Sequence, residues 1–204
     1  NTGWIVGDGT IHKTTDNGTH WVAQLTDYPY ILNSVYFADA NSGHSVGEGG
    51  TILKTTNGGT NWQPQYSNPY YNYRSVYFTD VNTGWIVGDG TIHKTTDNGI
   101  HWGAQTSPTT DTLNSVYFID ANLGYVCTSN DIYKTSDGGS NWFAEELPPT
   151  GHLSDIKFIV ENNTTVGFAV GDNILRNSLE YFPGEPVGNS GSYPGWVQVN
   201  SGTT

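Results

Sequence analysis

Methionine is absent from this chain, and cysteine occurs once, at Cys127. A lone cysteine excludes any disulfide within the chain, so redox logic does not fix the compartment. Cationic side chains are scarce: seven Lys and Arg stand against 19 Asp and Glu, giving a net charge of −12. A phosphate-backbone binder needs clustered Lys and Arg, so nucleic acid is not an expected partner. The same deficit argues against an anionic membrane surface. No apolar run approaches the length of a bilayer span, so membrane insertion is not expected either. Sustained helical periodicity is also missing. In their place are 26 Gly, 13 Tyr and 7 Trp among 204 residues. Such a composition suits short strands broken by turns.

The arrangement of these residues is repetitive. Residues 1–24 (NTGWIVGDGTIHKTTDNGTHWVAQ) recur at 82–105 with changes only at Thr19/Ile100 and Val22/Gly103. Diverged copies end at Trp62 and Trp142, so Trp21, Trp62, Trp102 and Trp142 follow one another at 40 or 41 residues. Each unit holds the same succession. A strand such as LNSVYF (32–37) or YRSVYF (73–78) comes first, then an Asp/Asn/Gly turn and a second strand such as GWIVG. A tight acidic turn and a third strand such as TIHKTT follow. An Asp/Gly loop ending in Trp then leads to a fourth strand. Four short strands in roughly 40 residues is the size of a β-propeller blade. The expected fold is all-β, a propeller of about five four-stranded blades, at about 1–30, 31–72, 73–111, 112–150 and 151–182. The first blade lacks its first strand, while residues 177–204 are rich in Gly, Pro and Ser and hold one late strand candidate, WVQVN at 196–200. A closed five-bladed ring, with that strand completing the first blade, is the favoured reading, since closure removes exposed sheet edges; the alternative is that these are consecutive blades of a larger propeller. Opening in mid-repeat at Asn1, the chain reads as a mature or excised piece of a longer product.

The runs Thr14-Asp16-Gly18-Trp21, Thr95-Asp97-Gly99-Trp102 and Thr135-Asp137-Gly139-Trp142 resemble the Asp-box, or bacterial neuraminidase repeat. A fourth run, with Gly59 and Trp62, departs from it by carrying Asn57 in place of Asp. The flanking text TGWIVG…GTIHKTTDNG is similar to the photosystem II stability/assembly-factor type of this repeat, which is also frequent in secreted bacterial proteins. The resemblance implies the propeller fold and says little about activity, because unrelated functions share the repeat. It also implies that the Asp-box residues are structural and lie away from any catalytic face. An Asp in such a hairpin accepts backbone N–H bonds, and the Trp packs between sheets.

Two sets of residues are candidates for ligand binding. One acid per unit (Asp8, Glu48, Asp89, Asp131, Asp172) falls at the turn between the second and third strands. Such a series can focus negative potential, and it is also good hairpin chemistry. The between-blade connections carry Tyr28, Tyr30, Tyr70, Tyr71 and Tyr73. Tyrosines on loops beside acids are suited to stacking on sugars or gripping a peptide, and they also pack over grooves between blades. The lysine series Lys13, Lys54, Lys94 and Lys134 reads as a solvated strand face. The histidines His12, His20, His93 and His101 recur through duplication. No metal-ligand spacing is present, and neither metal nor cofactor is expected.

These readings favour a non-catalytic module for binding, adhesion or scaffolding, placed extracellularly or on a bacterial cell surface, with a glycan, a protein or its own copies as partner. A structural subunit of a surface filament or sheath is the alternative. A glycoside hydrolase of the Asp-box propeller type is the second. Sialidase chemistry clamps a carboxylate with three arginines, and this chain has only Arg74 and Arg176. A two-carboxylate glycosidase is not excluded by counting, although the acids sit at repeat-equivalent turns and a catalytic pair needs unlike surroundings. The assembly-factor resemblance implies an Arg-rich partner patch. With two arginines that role is not carried over.

Overall fold

The computed structural model describes residues 1–25, 29–65, 70–149, 151–161, 164–179 and 195–199. It divides into two compact units, Asn1–Thr110 and Asp111–Thr204. In the first, β1 (Gly3–Gly7), β2 (Thr10–Thr14) and β3 (Val22–Leu25) form a three-stranded sheet. A second sheet holds β4 (Leu32–Phe37), β5 (Gly43–Gly47), β6 (Ile52–Thr55) and β7 (Gln63–Pro64). A third holds β8 (Tyr73–Phe78), β9 (Gly84–Gly88), β10 (Thr91–Thr95) and β11 (Gly103–Gln105). The second unit contains two more sheets. One is β12 (Ser115–Phe118), β13 (Gly124–Cys127), β14 (Ile132–Thr135) and β15 (Phe143–Ala144). The other is β16 (Leu153–Glu161), β17 (Thr164–Gly171), β18 (Ile174–Leu179) and β19 (Val197–Gln198). Neighbours in every sheet are consecutive in sequence and antiparallel, the meander of a propeller blade. The fold is an all-β propeller type.

WVQVN does not complete the first sheet. Val197 and Gln198 pair with Arg176 and Leu175, so they form the outer strand of the fifth sheet. The cause is Trp196. It is 3% exposed and packs edge-on to Phe158 at 6.0 Å and to Tyr125 at 6.3 Å. Phe37 and Trp62, Phe78 and Trp102, and Phe118 and Trp142 meet in the same edge-on way at 5.8–5.9 Å. Trp196 therefore stands where the Asp-box tryptophans stand, and the strand after it continues its own blade.

Phe37, Phe78 and Phe118 end their first strands and Phe158 lies inside β16, and within each unit such a ring joins two blades. The aromatic residue of the preceding blade's second strand lies on its other side: Trp4 on Phe37 at 3.5 Å, His44 on Phe78 at 4.4 Å, Tyr125 on Phe158 at 4.7 Å. A glycine makes room for the ring. A β-carbon on Gly43, Gly84 or Gly167 would come within 2.5–2.6 Å of Phe37, Phe78 or Phe158. The lysine series belongs to the same stack, with Lys13 5.3 Å from the Trp4 ring and Lys134 5.9 Å from Tyr125. At the start of the first strands, β-bulges free Asn33 and let it donate to the Tyr73 carbonyl at 2.8 Å. Asn114, just before β12, donates to the Leu153 carbonyl at 2.9 Å.

His44 replaces a tryptophan in this stack and brings a titratable group into the core. Burial, and then the nearby Lys54 ammonium, lower its pKa from 6.5 to about 4. The folded-state value lies below the unfolded one. The unfolded chain therefore binds a proton first as pH falls, and stability declines between about 6.5 and about 4. Between pH 7 and pH 4.5 this group accounts for about 2 kcal/mol. His44→Phe is expected to remove that part of the pH dependence, read as a smaller difference between urea melts at the two pH values. An unchanged difference refutes the assignment.

Candidate functional site

The Asp-box loops are closed by their own side chains. The Thr14 hydroxyl accepts from Gly18 N at 2.9 Å and donates to Asp16 Oδ1 at 2.8 Å, and Asp16 Oδ1 also accepts from His20 N at 2.9 Å. Thr95, Asp97, Gly99 and His101 repeat the pattern, as do Thr135, Asp137, Gly139 and Asn141. Asn57 fits because only its carbonyl oxygen is used, accepting from Thr55 Oγ1 at 3.0 Å and Asn61 N at 2.9 Å. Hydrogen bonds led by the His20 amide lower the Asp16 pKa to about 2, and those of His101 lower Asp97 as well. The carboxylates are committed to loop geometry. The shallow depressions beside the first two loops, lined by residues such as Lys13 and His20 or Lys54 and Asn61, follow from the same repeat.

In residues 1–110 the acidic turns and the connections between blades come together. The Glu48 amide donates to the Ile31 carbonyl at 2.9 Å, Gly50 N donates to the Tyr71 carbonyl at 2.6 Å, and Gly49 N donates to Asn72 Oδ1 at 3.1 Å. Gly49 and Gly50 have φ of 60° and 70°, a backbone region where glycine is the natural choice. The ring of Tyr30 covers Gly49. In the next blade Asn72 Nδ2 donates to Asp89 Oδ2 at 2.9 Å. A single turn thus contacts the connection before its blade and the one after it. Tyr30, Glu48, Tyr71, Asn72 and Asp89 consequently share one end of this unit.

The tyrosines of that end differ in accessibility. Tyr70 is 89% exposed and Tyr30 47%. Tyr71 is half-buried, 5.5 Å from the His93 ring. Tyr73, expected as a ligand contact, is 1% exposed, and burial pushes its hydroxyl up to about 12. It belongs to the core because it opens β8 and faces Val46 and Ile52. Tyr28 lies outside the described residues. Asp8 is exposed in the turn of the first sheet.

In the second unit Asp131 and Asp172 occupy the equivalent turns. Ser129, in the turn of Asp131, accepts through its carbonyl from Leu153 N at 2.8 Å, and Asp172 Oδ2 accepts from His152 N at 3.0 Å. Asp172 is tied to its own backbone connection. No tyrosine occupies the 106–114 connection, so the aromatic surface is a property of the first unit. Among the described residues no group of three or more His, Cys, Asp or Glu is placed to hold a metal ion. Nor, among the described residues, is any helix long and apolar enough to cross a membrane.

The family model of the photosynthesis system II assembly factor YCF48 matches residues 25–157. The chain belongs to that family. YCF48 from Cyanidioschyzon merolae superposes with a TM-score of 0.70 at 19% identity, covering 98% of this chain and 68% of that one. YCF48 bound to D1 peptide gives 0.59 at 24% identity, covering 76% of this chain. The GH74 enzyme of Niastella koreensis gives 0.73 at 16% identity, covering 96% of this chain and 35% of that one. At these identities the structures establish the fold alone, and the chain spans 53% of the peptide-bound YCF48. No curated protein matches the sequence. Family membership overturns the expected extracellular, cell-surface location, since the family's proteins are photosystem II assembly factors rather than secreted surface proteins. It also bears out the assembly-factor likeness of the repeat text; the shortage of arginine had set aside only the partner-patch role.

Proposed function

We propose that this chain is a non-catalytic propeller that holds a peptide segment of a protein partner at the tyrosine- and acid-bearing end of residues 1–110. The observation that carries the reading is the convergence of the Glu48–Gly50 turn on Tyr30, Tyr71 and Asn72, which sets aromatic rings and carboxylates on a rigid backbone. Aromatic side chains with few rotatable bonds give contact area at low entropic cost, and backbone-anchored turns are pre-organised. A family relative bound to D1 peptide supports a peptide over a glycan as the ligand. The net charge of −12 favours a segment carrying Lys or Arg and faster association at low salt.

The test is calorimetric titration of the chain with a D1 peptide and with the same peptide bearing added lysines. Tyr30→Ala and Tyr71→Ala are each expected to weaken binding by about tenfold, with melting curves checked to separate lost contacts from lost fold. Binding that ignores both substitutions, or no binding by either peptide, overturns the site. Hydrolysis of a glycan by the same material overturns the non-catalytic reading.

A further inference from the structure

The residue before a first strand meets the acidic turn of its own blade through the backbone. Glu48 N donates to the Ile31 carbonyl at 2.9 Å, Asp89 N to the Asn72 carbonyl at 3.2 Å and Asp172 N to the His152 carbonyl at 2.8 Å. Isoleucine, asparagine and histidine serve alike at this register, so the contact makes no demand on the side chain. Asn72 nevertheless uses both ends of its amide. Its Oδ1 accepts from Gly49 N at 3.1 Å, in the acidic turn of the blade before. Its Nδ2 donates to Asp89 Oδ2 at 2.9 Å, in the acidic turn of its own blade. The two partners fix which end is oxygen, because an N–H needs an acceptor and a carboxylate needs a donor. The preceding residue, Tyr71, is held in turn by Gly50 N on its carbonyl at 2.6 Å. Asn72 thus departs from its repeat equivalents at the connection that carries Tyr70 and Tyr71.

The departure acts on Asp89. In the fifth sheet the equivalent acid, Asp172, has Oδ2 tied to the His152 backbone N at 3.0 Å. Asp89 Oδ2 is held instead by a side-chain amide from outside its turn. An amide is neutral, so it orients a carboxylate without cancelling its charge. A half-buried, oriented carboxylate is the acceptor that an ammonium or guanidinium group needs. We propose, on the footing of the peptide site proposed above, that Asp89 receives a Lys or Arg side chain of the bound segment and that Asn72 is the positioning residue that aims its carboxylate. An aspartate already held in place gives up less rotamer freedom when the ligand arrives. Because Asn72 spans two blades, it also fixes Asp89 relative to the Glu48–Gly50 turn, over which the Tyr30 ring lies. Charge recognition and aromatic contact are thereby held in one frame.

The experiment is a calorimetric double-mutant cycle on the full chain with the D1 peptide and its lysine-bearing form. Asp89→Asn keeps an acceptor for Asn72 Nδ2 and a residue suited to the turn, and removes the charge. It is expected to lower the ratio of affinities, lysine-bearing over unmodified peptide, by about fivefold. Asn72→Ala is expected to lower the same ratio by about threefold. In the double variant the ratio falls no further than in Asp89→Asn alone, because Asn72 acts through Asp89. A merely structural role of Asn72 would weaken both peptides alike and leave the ratio where it is. An unchanged ratio in either single variant overturns the proposal, as do effects that add in the double variant. Tyr30→Ala and Tyr71→Ala, measured alongside, tell this failure from failure of the site. If they weaken binding while the ratio holds in the Asp89 and Asn72 variants, the peptide site stands and the assignment of Asp89 falls. If the unaltered chain binds neither peptide, both fall.

Discussion

Gly88→Ala is expected to destabilise the protein by about 3 kcal/mol, while Gly7→Ala, the same change at the equivalent position of the first sheet, leaves stability unchanged or slightly higher. The new methyl at Gly88 is driven onto the Asn72 carbonyl oxygen and lies 2.9 Å from Tyr73 Cα. Neither atom belongs to a side chain that can rotate away. Relief requires moving the Asn72 backbone, which also accepts from Asp89 N at 3.2 Å. Neither Gly7 nor Gly88 has a positive φ, so the contrast isolates crowding from backbone preference. Thermal melts of the two variants decide the matter. Equal melting of both would show that the bulge at the start of β8, between Tyr73 and Ser75, yields to the methyl, and the packing argument would fail.

Phe78→Ala is expected to cost about 4 kcal/mol, at the upper end for a core aromatic. Phe78 is 1% exposed and is held by His44 at 4.4 Å on one side and Trp102 edge-on at 5.9 Å on another. Tyr36 lies 6.1 Å away as well. Removing the ring leaves a cavity between two sheets and strips partners from both at once, so relaxation within one blade does not repair it. For a chain of 204 residues the loss corresponds to a fall in melting temperature of about 10 °C. Trp21→Ala serves as the comparison. Among the described residues its ring has no phenylalanine partner, and it is 40% exposed, so a change below about 1 kcal/mol is expected. A Trp21 variant as damaged as the Phe78 variant would mean that the stack does not carry the inter-blade energy.

Fold class was legible because the repeat writes the same local solution several times. Near-identical text around Asp16 and Asp97 encodes identical loops, since the Thr and Asp side chains bond to backbone groups within four residues. Contacts of such short range are determined by local sequence. The Asp-Gly and Glu-Gly turns were readable for the same reason, with Gly9, Gly49 and Gly90 at φ of 60–67°. The candidate site was legible only in part. Composition placed tyrosines on connections but did not separate Tyr71, which reaches the surface, from Tyr73, which is sealed beneath the neighbouring sheet. Composition also pointed to the wrong location, because few charges, abundant polar residues and the absence of methionine reflect no single compartment.

The sequence by itself determined the repeat, the strand succession, the Asp-box loops and the family, all of which rest on interactions within one blade. Tertiary structure decided what depends on a neighbour. Phe37, Phe78 and Phe158 recur visibly at one register of the first strands, yet their partners across the blade boundary are Trp4, His44 and Tyr125, three different residues no motif connects. Trp196 lies 54 residues beyond Trp142 instead of 40, and only the packing of its ring against Phe158 reveals it as the missing member of the tryptophan series. The different burial of β1 and β9 is likewise invisible in text that Gly84–Gly88 repeats letter for letter as GWIVG. One copy is buried and the other half exposed, because burial is a property of what stands beside a strand and not of the strand.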